Sequence, residues 1–129
     1  MIAGCGGSSA LPRFIARADR ICARAGGELA TLAPAKQTVR GYTRAARAQI
    51  AVVEREIAAL SALHPPSAQR PGFRALLADA RADVSLAREE IDELRAGDHH
   101  ALHQLIAQSR ALDARTQAAT SRLRLRRCP

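Results

Sequence analysis

The segment Phe73-Arg-Ala-Leu-Leu77-Ala-Asp-Ala80-Arg-Ala-Asp-Val84-Ser-Leu-Ala87-Arg-Glu-Glu-Ile91-Asp-Glu-Leu94 sets its apolar residues in alternating steps of four and three. That spacing keeps one stripe of a helix turned toward a packed partner along its whole length. Asp79, Arg81, Asp83, Arg88, Glu89, Asp92 and Glu93 lie on its outer face and read as solvated. Gly97 reads as the stop of this helix, and Asp98 as the cap of the next.

Working outward, the same rhythm recurs. Upstream lies Val39, Tyr42, Ala46, Ile50, Val53, Ile57, Leu60, closed by His64-Pro65-Pro66-Ser67 because proline disfavours the helical conformation of the residue before it. Earlier still comes Leu11, Phe14, Ala18, Ile21, Ala25, with Ile15 and Cys22 beside it. The adjacent Gly26-Gly27 should kink or stop that run, and Pro34 could open the following helix at its first turn. Downstream, Leu102, Leu105, Ser109, Leu112, Thr116, Ala119 and Leu123 complete a fourth run. The periodicity predicts helices over roughly 11–32, 35–63, 71–96 and 99–126, within a bundle domain spanning 11–129 and preceded by a flexible tether at 1–10. Short connections favour an all-α, antiparallel up-down four-helix bundle of helical hairpins with coiled-coil-like seams. No stretch is apolar and long enough to cross a membrane as a helix.

Composition agrees. Aromatics are 2% of 129 residues, with Phe14, Tyr42 and Phe73 and no Trp, which argues against a β-sandwich or barrel. The net charge of +8 invites a nucleic-acid reading. Its distribution tempers that: 11–47 is net +6, 48–98 net −3 and 99–129 net +5. An acidic middle between basic ends suits outer helices lying against central ones.

Three cysteines say where the chain works. Cys5 sits in Ile2-Ala3-Gly4-Cys5 and is followed by Gly6-Gly7-Ser8-Ser9, which resembles a bacterial lipobox and its polar tether. The resemblance implies lipidation of the Cys5 thiol, although only Met1–Gly4 precede it, too few for a charged and apolar leader. Cys22 and Cys128 then form an even remainder, which in an exported protein suggests a disulfide across 106 residues. The alternative is a small buried apolar Cys22 and a free terminal thiol at Cys128. A bridge between positions so placed would leave the first turns of the first helix projecting as a stalk toward the tether.

Chemistry-bearing clusters are sparse. His99 and His103, or His100 and His103, stand one helical turn apart and could share a metal, but no pattern supplies a third ligand. Glu54/Glu56, Glu89/Glu90 and Asp92/Glu93 lack a His three positions on and read as surface ion-pair partners, Asp92 with Arg88 and Glu56 with neighbouring arginines. Lys36 follows no glycine-rich loop, and no GxSxG occurs. No enzyme activity and no cofactor are expected. Arg122, Arg124, Arg126 and Arg127 could contact anionic lipid headgroups or envelope polymers, or simply favour the dipole at a helix end.

Taken together, Phe14-Ile15-x-x-Ala18-Asp19-x-Ile21-Cys22, Leu60-x-x-Leu63-His64-Pro65-Pro66, Ala96-Gly97-Asp98 and the closing cysteine resemble a group of small exported, mostly uncharacterised helical proteins and lipoproteins of high-GC bacteria. The resemblance implies an exported, disulfide-bearing helical domain and transfers no activity; the arginine-rich end departs from that group. The expectation is an extracytoplasmic, lipid-anchored binding or structural module whose partners are the membrane, anionic envelope polymers or a protein. The rivals are a cytoplasmic basic nucleic-acid binder and a metal-binding bundle.

Overall fold

The computed structural model describes residues 9–128. Among them every regular element is a helix: α1 (Ala10–Thr31), α2 (Val39–Ser61), α3 (Arg70–Ala96) and α4 (His99–Arg122). The expected four-helix bundle is what these residues form. Each helix packs on the one before it, whereas the backbones of α1 and α4 do not meet.

Local chemistry sets the boundaries: α1 ends within one residue of its expected place, and two other boundaries move. α1 runs straight through Gly26-Gly27 to Thr31. Ala25 is buried just before the pair, and Glu28 just after it bonds Arg55 of α2 at 2.7 Å, so tertiary contacts on both sides hold the turn that two glycines weaken. α2 begins at Val39 rather than at the proline, because Thr38 supplies the cap: its hydroxyl accepts from the Gly41 N–H at 2.9 Å. α4 stops at Arg122, four residues short of expectation. Arg124 adopts a left-handed φ of 62°, its N–H reaching Ser121 O and that of Leu125 reaching Thr120 O. These paired bonds are a Schellman motif with arginine where glycine is usual. Gly97 (φ 75°) ends α3 the same way, and the Asp98 carboxylate caps α4 by accepting from Ala101 N–H at 3.0 Å.

The core gathers Phe14, Ala18 and Cys22 of α1, Ile57 and Leu60 of α2, Phe73, Leu76, Leu77 and Val84 of α3, and Ala119 of α4. Phe14 and Phe73 meet edge to face with centroids 5.0 Å apart. Leu123 and Leu125 join the same core, so the chain after α4 is neither helix nor strand but a strip doubled back between α4 and α1. The Asp19 carboxylate holds it there, accepting from the N–H groups of Arg126 and Arg127 at 2.9 and 3.0 Å. The expected stalk is therefore absent. Phe14 is 4% exposed, and it is the returning strip, not a projecting helix, that brings Cys128 level with Cys22.

Candidate functional site

Inter-helix pairs fix the vertical register. Glu28 with Arg55 sets α1 against α2, Arg88 with Glu54 sets α3 against α2, and Arg115 with Asp79 sets α4 against α3. With α1 and α2 antiparallel and Glu28 opposite Arg55, Thr31 at the end of α1 lies level with about residue 52 of α2. Residues 32–38 climb the remaining distance without helix. The first dozen residues of α2 thus have no fourth helix across from them, and one corner of the bundle stands open over that length.

The open corner is an apolar groove of about 510 Å³. Ala46, Ile50 and Val53 form its α2 wall, Val84, Ala87, Ile91 and Leu94 its floor on α3, and Leu102 and Ile106 its α4 wall. All but Ile106 belong to the seams expected from periodicity. Tyr42 was expected in the core with them, yet it is 49% exposed at the groove's end, and Val39 is 48% exposed beside it. The seam continues while the helix that would cover it has ended.

A second cavity of about 320 Å³ lies deeper, where α1 is present. Cys22, Cys128, Leu29 and Thr116 line it together with three carboxylates, Glu56, Asp83 and Asp113. Asp83 lines the groove as well. Burial raises the Asp83 carboxyl above its ordinary range, and the charges of Asp113 and Glu90 push it the same way; burial alone raises Glu56. Glu90 also lines the groove, its Oε1 accepting from the Ser109 hydroxyl at 2.7 Å. Glu56, Asp83 and Glu90 thus depart from the surface role expected of them. Each flanks a seam position, and a flanking position faces inward where the bundle is incompletely closed. Glu54 does sit outside, pairing with Arg88 in place of the expected Asp92.

The remaining candidates separate. Cys22 and Cys128 stand at disulfide geometry, with Cα atoms 4.9 Å apart and no stalk required. Cys5 lies outside the described residues. His99, His100 and His103 are exposed on the first turns of α4, and no group of three potential metal ligands converges among the described residues. Arg122, Arg124, Arg126 and Arg127 are all exposed, and none makes an ion pair with a described residue. They occupy the end of the bundle where α1 begins, since Phe14 meets Phe73 and a Cβ on Gly72 would touch Leu123 at 3.6 Å. Four further arginines, Arg40, Arg44, Arg47 and Arg95, border a shallow depression with Val39 and Thr43. No described helix is long and apolar enough to cross a membrane. No family model, curated protein or solved structure matches the chain.

Proposed function

We propose that the protein works outside the cytoplasm as a lipid-anchored binding module, tethered where α1 begins and presenting its apolar groove toward the other end. The observation that carries this reading is the Cys22–Cys128 pair, set at bonding geometry in a chain whose third cysteine lies in a lipobox-like context. Paired thiols of this kind persist in oxidising compartments. Two further features support it. The arginines of the C-terminal strip share the tether's end of the bundle, where they would meet anionic headgroups at about 1 kcal/mol per charge near the surface. The groove has the size and the apolar lining with few polar groups that ligand sites favour.

The test is direct. In cells carrying the native gene, alkylation before reduction should leave Cys22 and Cys128 unlabelled, and the mature protein should fractionate with membranes carrying a diacylglycerol mass on Cys5. A soluble product with all three thiols labelled overturns the reading. It would favour the basic nucleic-acid binder, whose DNA affinity would fall steeply with salt.

A further inference from the structure

The groove's chemistry is lopsided for this chain. Its walls are apolar, and the polar side chains reaching it are Tyr42, Gln49, Asp83 and Glu90. Neither arginine nor lysine is among the described residues that line it, although the chain holds 20 such residues against 12 acidic ones. The ion-paired carboxylates Glu28, Glu54 and Asp79 lie elsewhere and take arginines; Asp83 takes none among the described residues. Glu90 receives only a neutral hydroxyl, from Ser109. Asp83 and Glu90 stand two turns apart along one edge of α3, so a partly buried acidic edge runs beside an apolar floor. An uncompensated carboxylate next to apolar walls is costly and is relieved by a cation.

We propose that the groove binds a cationic amphiphile, its apolar body lying on α2, α3 and α4 and its ammonium-type head at the Asp83–Glu90 edge. The proposal rests on the reading of the groove as a binding site and names what that site selects. Size favours a small molecule over a second copy of this chain. The groove runs about 16 Å from Tyr42 to Val53, and its volume of about 510 Å³ falls inside the small-ligand range. A stable protein interface needs roughly 800 Å² from each partner, more than such a groove offers. Charge selects within that class, because an anionic head at the Asp83–Glu90 edge would meet carboxylates.

Tyr42 is the chain's one tyrosine and Trp is absent, so tyrosine emission reports from the site itself. The full chain would be titrated with dodecyltrimethylammonium, dodecyl maltoside and dodecyl sulfate, each below its micelle concentration, with circular dichroism confirming that the helices persist. The cationic probe should bind about tenfold tighter than the maltoside, with the sulfate weakest. This order opposes the net charge of +8, under which non-specific association would favour the sulfate. The double variant Asp83→Asn/Glu90→Gln should bring the cationic probe down to the maltoside's affinity, while Asp92→Asn leaves the order unchanged. Ala87→Phe, which fills the floor, should weaken all three. Equal affinities or a preference for the sulfate overturn the cationic inference and leave the groove standing as a site. Absence of binding by every probe, or binding indifferent to Ala87→Phe, overturns the groove reading itself. A basic amphipathic peptide that binds in an Ala87→Phe-sensitive way where no amphiphile does overturns the proposal in favour of a protein partner.

Discussion

Asp83 sits one position before Val84, on the flank of the α3 seam, and that single register step turns a surface acid into a half-buried one. Its raised pKa has a thermodynamic consequence with a definite sign. An acid that holds its proton more tightly when folded binds more protons in the native state, so stability falls as pH climbs from the ordinary value of 3.8 through the raised one. Above that window the charged carboxylate is a constant penalty. Asp83→Asn should therefore raise stability at pH 7 and lose that advantage below pH 3.8, measured by urea unfolding across the pH range. Glu56, also raised by burial, should act in the same direction. Asp79→Asn should do the opposite at neutral pH, because the amide keeps one acceptor oxygen but loses the charge and the second acceptor that Arg115 meets at 2.5 Å and 3.3 Å; the loss should be small, because the arginine end of the pair is solvated.

At the scale of the helices, the ends carry the tests. Gly97 and Arg124 occupy the same left-handed position of the same motif, and only glycine adopts it freely. Gly97→Ala should cost about 1 kcal/mol and Arg124→Gly should gain roughly 0.5–1 kcal/mol, read as opposite shifts in the urea midpoint. The helical glycines divide by surroundings rather than by propensity. At Gly26 and Gly27 a Cβ meets nothing within 4 Å, so alanine at either should stabilise by about 0.5–1 kcal/mol. At Gly41 a Cβ would lie 2.5 Å from the backbone carbonyl oxygen of Lys36. The loop entering α2 crosses there, and Gly41→Ala should destabilise despite alanine's better propensity. Thr38, Gly97 and Asp98 show how the ends were decided. A side-chain cap or a left-handed glycine is a local signal and can be read along the chain, as at 97 and 98. The end of α4 could not, because the residue in the left-handed position is arginine.

For the molecule as a whole, closure falls to residues 123–128, which follow α4. Leu123 and Leu125 fill the side between α4 and α1, Asp19 holds the strip's backbone, and Cys128 meets Cys22. Leu125→Ala should cost about 2–4 kcal/mol. Reducing the bridge should cost on the order of 4–5 kcal/mol in the chain-entropy account, seen as a lower urea midpoint under reductant; a Cys22→Ala/Cys128→Ala variant should be indifferent to reductant. The groove belongs to this scale too. It exists because α1 ends level with the middle of α2 while the seams of α2, α3 and α4 run on.

Helix number, helix type and the seam residues followed from the chain read in order, because an apolar stripe of period three and four is a property of neighbours in sequence. The pairing of Cys22 with Cys128 was reached only by setting Cys5 aside on its lipobox resemblance, since three thiols by themselves allow three pairings. The groove, the inward turn of Glu56, Asp83 and Glu90, and the return of the C-terminal strip onto α1 were not. They depend on how far one helix slides along another. That offset is set by contacts between residues dozens of positions apart, such as Glu28 with Arg55, Asp79 with Arg115 and Asp19 with the backbone of Arg126. A periodic stripe packs nearly as well one turn up or down, so its spacing names the face of a helix and leaves the level at which that face is covered to long-range contacts.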